Sequence, residues 1–186
     1  MEIANKFTYN SFVILSFFFI SLLVLILNYL TNGKSNKKLF SCYRSSILNP
    51  FTYVRMITHI FGHANWQHFM NNFLYILLIG PMIEEKYGSK NLIIMIISTA
   101  FITGFLSTIF NKNKMLLGAS GIVFMFIILS SFVNIESGKI PITLILIFIF
   151  YIVNEIISGI FKKDNVSHMG HLIGAIMGFI FGFYIF

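Results

Sequence analysis

Charge is scarce in this chain. Only 10% of its 186 residues are Asp, Glu, Lys or Arg, against about 25% in a soluble domain. Together with long uncharged runs, that shortage excludes an ordinary water-soluble globule and points to a bilayer. Cysteine is nearly absent too. Cys42 is the only one, so no intramolecular disulfide can form, and no Cys or His cluster surrounds it to suggest a metal. The N-terminal apolar run has a poor basic flank and no convincing small-residue cleavage site, so it reads as a retained span rather than a signal peptide. A small transporter or channel should carry a paired acidic relay at mid-membrane or an inverted repeat. Neither is visible, and Glu155 reads as one isolated acid near a helix end.

What is abundant is apolar. Hydrophobic residues make up 57% of the chain, and the mean hydropathy is +0.85. The apolar segments are spread evenly from end to end, which indicates one integral membrane domain over 1–186 with no soluble partner domain. The net charge of +7 comes from basic residues scattered through short loops. Anionic lipid head groups, not nucleic acid, are the counterpart such scattering fits.

The fold class expected is all-α, with six transmembrane helices at about 11–30, 68–83, 91–110, 120–133, 140–160 and 168–186. The interval 31–67 is of a different kind. It carries Lys34, Lys37, Lys38, Arg44, Arg55, His59, His63 and the only tryptophan, Trp66, among short apolar groups. Short amphipathic helices lying in the interface suit it better than a structureless loop. The fourth span reaches only about 21 Å, short of the roughly 30 Å hydrocarbon core. A helix that short is expected at the centre of a bundle, with its start below the surface and a water-filled hollow above it. Six spans also bring the starts of the second, fourth and sixth to one side.

The start of that fourth span reads Leu117-Gly118-Ala119-Ser120-Gly121. Ser120 can be a plain N-cap. It can also be a nucleophile, with glycines that let backbone approach a substrate and helical N–H groups aimed at an oxyanion. The sixth span begins Ser167-His168-Met169-Gly170-His171, and Gly174, Gly178 and Gly182 follow in a row of fours. Small residues at that spacing let helices approach closely. His171 lies one turn before Gly174, and where that face packs on the fourth helix, with Gly121 beside Ser120, it can reach Ser120 as a general base. His168 and His171 could instead form a lipid-binding or adventitious metal pair, but the sequence fixes no third ligand near them. His68 and Asn72, four apart, share one helix face. They read either as a polar helix start or as two donors that join the Ser120 N–H in an oxyanion site.

These motifs resemble those of the rhomboid intramembrane serine proteases, over nearly everything from Phe51 to the C-terminus. Gly118, Ala119, Ser120 and Gly121 meet the Gly-x-Ser-Gly pattern. His68 and Asn72 meet His-x-x-x-Asn. His171, Gly174 and Gly178 meet His-x-x-Gly-x-x-x-Gly. The resemblance implies a six-helix bundle around a short central fourth helix. It implies a serine endopeptidase that cuts the membrane-spanning helices of protein substrates with a Ser120–His171 dyad, without cofactor or metal. Gly118, Gly121, Phe124, Gly174 and Gly178 would support the site. Phe124 would stand where the family often stacks a tyrosine on the histidine, and Glu84 would brace the first loop. The family's Trp-Arg pair is here Val54-Arg55, which leaves the anchoring of that loop open. The alternative is an inactive relative that binds membrane clients without cutting them. By resemblance the protein is multi-pass in the cell membrane, with its termini inside and its site toward the exterior. Nine of the 13 Lys and Arg residues then fall outside, against the positive-inside preference.

Overall fold

The computed structural model describes residues 8–110, 114–133, 139–161 and 167–184, and those residues are helical apart from their connections. In chain order the helices are α1 (Phe12–Leu30), α2 (Lys34–Leu39), α3 (Pro50–Thr58), α4 (Trp66–Tyr87), α5 (Ser89–Phe110), α6 (Ser120–Ser130), α7 (Ile142–Ile147), α8 (Asn154–Phe161) and α9 (His168–Tyr184). A 3₁₀ turn over His59–Phe61 follows α3, and a π-helical stretch over Phe148–Val153 joins α7 to α8. Three helices are long and apolar enough to cross a membrane: Phe12–Leu30, Ser89–Phe110 and the continuous Ile142–Phe161. Two shorter apolar helices, α6 and α9, accompany them, and α4 runs 22 residues from Trp66 to Tyr87.

Helix α6 forms the middle of the packing. Its Ile122, Val123, Met125, Phe126, Ile127, Ile128 and Leu129 are all buried. It touches α4, α5 and, most extensively, α9. The reason lies in the glycine row of α9. A Cβ at Gly174 would land on the Gly121 carbonyl oxygen, and one at Gly178 would sit 2.7 Å from the Met125 oxygen. One at Gly182 would lie 2.6 Å from the Phe132 ring. Without side chains at these positions, the two backbones pack directly on each other.

The interval between α1 and α4 folds as short helices rather than as an open loop. Asn49 Oδ1 accepts from the Phe51 N–H at 3.0 Å, and Pro50 at the first position completes the start of α3. Gly104 of α5 lets the backbone of α3 approach, since a Cβ there would be 2.5 Å from the Met56 oxygen. Arg55 is buried, donates from Nη2 to Ser45 Oγ at 2.6 Å and holds its guanidinium 4.3 Å above the Tyr43 ring. Tyr43 therefore supplies the aromatic partner that Val54 cannot.

Glu84 departs from expectation. Among the described residues it makes no hydrogen bond to the first loop. Its Oε1 accepts from the Val13 N–H at 3.0 Å and from Ser89 Oγ at 2.7 Å, and its Oε2 accepts from the Ile14 N–H at 3.2 Å. The physical reason is direction. Helices α1 and α4 run antiparallel, so the end of α4 meets the start of α1, where unpaired N–H groups and the helix dipole favour a carboxylate.

Candidate active site

The site is assembled at the starts of α4, α6 and α9. The segment leading into α6 is tied to the first loop at two points. Cys42 and Leu116 exchange backbone hydrogen bonds of 2.7 and 2.8 Å, and the Gly118 N–H donates to the His59 carbonyl at 2.9 Å. Gly118 has φ +112, a conformation that side-chain-bearing residues avoid. The chain then enters α6 at Ser120, which is half-buried.

Gly118 has no room for a side chain either. A Cβ there would lie 2.6 Å from His68 Nε2 and 3.4 Å from Asn72 Nδ2. Both nitrogens of the second motif therefore converge on the backbone just before Ser120. Asn65 Oδ1 caps α4 by accepting from the His68 N–H at 2.9 Å. The Ala64 N–H approaches His68 Nδ1 at 3.5 Å, as a donor to that nitrogen. With Nδ1 accepting, Nε2 carries the hydrogen and is the donor facing Gly118. Asn72 Nδ2 is buried and has no hydrogen-bond partner among the described residues. A buried amide donor without a partner costs free energy.

His171 is buried on α9. Its ring stacks on Phe124 with centroids 4.4 Å apart and planes 10° from parallel. Phe124 follows Ser120 by one helical turn, so it shares Ser120's face of α6. The Gly121–Gly174 contact brings the two helices together at the same level. No hydrogen bond joins Ser120 Oγ to His171 among the described residues. Active-site bonds of this kind commonly tighten only once substrate is bound. A cavity of about 10 Å³, lined by His59, Thr103, Ser120, Gly121 and Gly170 among others, adjoins the serine. It is about the size of one water molecule.

Nothing in the sequence marks what holds the other edge of His171. Glu155 Oε1 lies 2.6 Å from His171 Nδ1 and 2.6 Å from His168 Nδ1. Glu155 is buried, so it is not an isolated acid at a helix end. Nor do the two histidines lack a third ligand, because the three groups present ligand atoms within 4.8 Å of one another. They could hold a metal ion. Two atoms bound to one zinc, each about 2 Å from it, would however sit farther apart than 2.6 Å. That spacing is a charge-assisted hydrogen bond. Position along the chain held the missed signal: the C-terminal part of the helix Ile142–Phe161 lies at the level where α9 begins.

Three other titratable groups stay out of the chemistry. Burial pushes the His59 imidazole down to about 4 even though its Nε2 donates to the Ala100 carbonyl at 3.1 Å. Burial and then the neighbouring His68 push His63 down to about 3. Burial raises the Cys42 thiol to about 11. At neutral pH all three are uncharged parts of the first loop's packing.

A serine at a helix start, an imidazole on the facing helix and two side-chain donors on a third helix come together inside a bundle of apolar helices. The family model of the rhomboid domain matches residues 50–186, and the chain belongs to the rhomboid family, which includes serine proteases. It is a multi-pass integral membrane protein. It is 30% identical to RHOMBOID-like protein 1 of Arabidopsis thaliana over 144 residues, covering 75% of this chain and 36% of that protein. It is 26% identical to the chloroplastic Rhomboid-like protein 11 of the same plant over 140 residues, 68% of this chain and 50% of that one. With Rhomboid protease GlpG of Haemophilus influenzae it shares 25% identity over 132 residues, 69% and 68% of the two chains. The chain thus spans half or less of the length of the plant relatives.

Proposed function

We propose that this protein is an intramembrane serine endopeptidase that cleaves the transmembrane helices of membrane-protein substrates. In this reading six helices cross the bilayer. The termini are cytoplasmic, and the site opens toward the exterior of the cell membrane. Ser120 is the nucleophile and His171 its general base. The observation that carries the reading is the stacking of His171 on Phe124, one turn from Ser120, at the level where Gly121 and Gly174 touch.

The chemistry follows from the geometry. His171 Nε2 takes the proton as Ser120 Oγ attacks the scissile carbonyl. The carbonyl oxygen becomes an anion in the space beside Gly118. The Ser120 N–H, His68 Nε2–H and Asn72 Nδ2–H stabilise it there, and in a site shielded from bulk water such donors count for more than in solution. The imidazolium then protonates the leaving amine, and water hydrolyses the acyl-enzyme by the reverse sequence. Peptide bonds inside a regular helix are hidden in the i→i−4 ladder. Substrates are therefore helices with Gly, Pro or other weak helix formers near their outer end, and with a small residue at the cut.

The test is labelling of the purified protein in vesicles by a fluorophosphonate probe. The wild type should label at Ser120, and Ser120→Ala should not. Equal labelling of both, or none of the wild type under conditions where it is folded, overturns the reading.

A further inference from the structure

We propose that Glu155 is a positioning residue for His171. Its carboxylate holds the imidazole in the tautomer that leaves Nε2 free to act on Ser120. The inference rests on the protease reading above, in which the site is a dyad, and adds a third member from the fifth span.

The argument begins with hydrogen-bond inventory. A carboxylate only accepts, so the 2.6 Å contact between Glu155 Oε1 and His171 Nδ1 places the hydrogen on Nδ1. A neutral imidazole with Nδ1–H has its lone pair on Nε2. An unheld imidazole partitions between two tautomers, and only one of them is a base toward the serine. The same contact fixes rotation of the ring about its Cβ–Cγ bond, and Phe124 clamps its face. Two of the ring's freedoms are therefore removed by two different helices, α8 and α6. Throughout acylation the proton passes from Ser120 Oγ to His171 Nε2. Glu155 stays ionised and keeps accepting from Nδ1–H.

Burial gives the contact its strength. Glu155 and His171 are both largely sheltered, with side chains about 10% exposed. An ionised acceptor shielded from water makes a short and strong bond. His168 Nδ1 donates to the same oxygen at 2.6 Å. The carboxylate thus has a second donor that helps offset the cost of burying its charge. His168 and His171 lie on adjacent turns of α9, with ring centroids 6.3 Å apart and planes at 81°. The His171 ring stacks on Phe124. The carboxylate also links the fifth span to the catalytic helix, because α8 packs on α9 in this region.

The test combines a kinetic and a spectroscopic readout on the full chain. Glu155→Gln keeps the side chain's shape and removes its charge. It should lower kcat about 10²-fold or more, with KM changed by less than about threefold, since the residue acts on the base rather than on substrate. Glu155→Asp should recover part of the loss. In the wild type labelled with ¹⁵N-histidine, the His171 signals, assigned by their loss in His171→Ala, should report Nδ1 protonated and Nε2 bare. In Glu155→Gln the Nε2–H tautomer should appear. An Nε2–H tautomer in the wild type overturns the proposal, as does a kcat for Glu155→Gln within twofold of wild type. The tautomer measurement needs no turnover. A wild type that fails to label with fluorophosphonate therefore sinks the protease reading, while the nitrogen spectrum still decides what Glu155 does to His171.

Discussion

The α6–α9 seam and the fifth span are both made of apolar residues, yet they are held in opposite ways. Along the seam backbone lies on backbone. Gly174, Gly178 and Gly182 have no space for a Cβ, and α6 buries residues around its whole circumference. The fifth span, Ile142–Phe161, is only 22% buried across its apolar window, against 44% for α5. It keeps a large apolar surface outward, with Phe148, Ile149, Phe150 and Val153 all exposed. Its middle is π-helical, a wider turn that is rare and often found at functional sites. Inward it contributes Leu144, Ile152, Glu155 and Ser158. The contrast teaches a division of labour. The seam fixes Ser120 and His171 relative to each other, whereas the fifth span is a wall fastened by a few side chains.

The division is broken most severely by removing the reacting groups themselves. Ser120→Ala and His171→Ala should each lower kcat/KM by about 10⁴-fold or more, and the double variant should be no worse, because the two act as a unit. His168 bonds the same carboxylate but in the proposed reading takes no proton from Ser120, so His168→Ala should lose less than about tenfold. Steady-state cleavage of one transmembrane substrate by the four variants decides it. If the His168 and His171 phenotypes exchange, the wrong histidine has been assigned to the seam.

A matched pair of glycine substitutions sharpens the comparison. In Gly174→Ala the new methyl meets the Gly121 carbonyl, which is backbone and cannot step aside. Overpacking of this kind typically costs about 1–3 kcal/mol. At Gly159 in the fifth span the new methyl would be 3.1 Å from His168 Cβ, a side-chain contact. Gly159→Ala should therefore cost well under the seam variant, and Ala's higher helix propensity offsets part of it. Thermal unfolding in one detergent, followed by circular dichroism, compares the two. Equal losses would mean that the wall is as tightly built as the seam.

The seam was largely legible in the sequence, and the wall was not. Gly174, Gly178 and Gly182 fall four apart, so the close-packed face follows from helical period. Ser120 stands out by its small neighbours, whereas Phe124 is marked only by the resemblance to the family. Glu155 and Glu84 carry no such local mark, because each has partners from a different helix. Glu84 meets α1 some 70 residues away, and Glu155 meets α9 across a connection. The π turn was illegible for another reason. Phe148–Val153 is unbroken apolar sequence, without glycine or proline to mark a change of winding.

The smallest effect, and the one most specific to the wall, concerns how a substrate helix gets in. In the proposed reading a membrane-spanning substrate must pass sideways between helices, whereas an unfolded soluble peptide can descend from the aqueous side. The fifth span is the candidate gate, because it offers the least buried surface and packs on α6 and α9 rather than extensively on α4. Ile152 is one of its few inward apolar anchors, lying in the cluster with Ile128, Phe132, Leu144 and Ala175. Ile152→Ala removes that anchor and leaves Tyr151 against Phe124 and Glu155 against His171. Ile-to-Ala in a core costs about 2–5 kcal/mol when the site is tightly packed, and a thinly held helix should relax toward the lower end. Loosening a gate by that amount should raise the rate on an intact transmembrane substrate severalfold. The rate on a soluble unfolded peptide should stay level, since the reacting groups have not moved. The measurement is the ratio of the two rates across Ile152→Val and Ile152→Ala. A ratio that climbs with each methyl removed identifies the fifth span as the gate. If both rates rise together, or neither does, the fifth span is fixed wall and the substrate passes elsewhere.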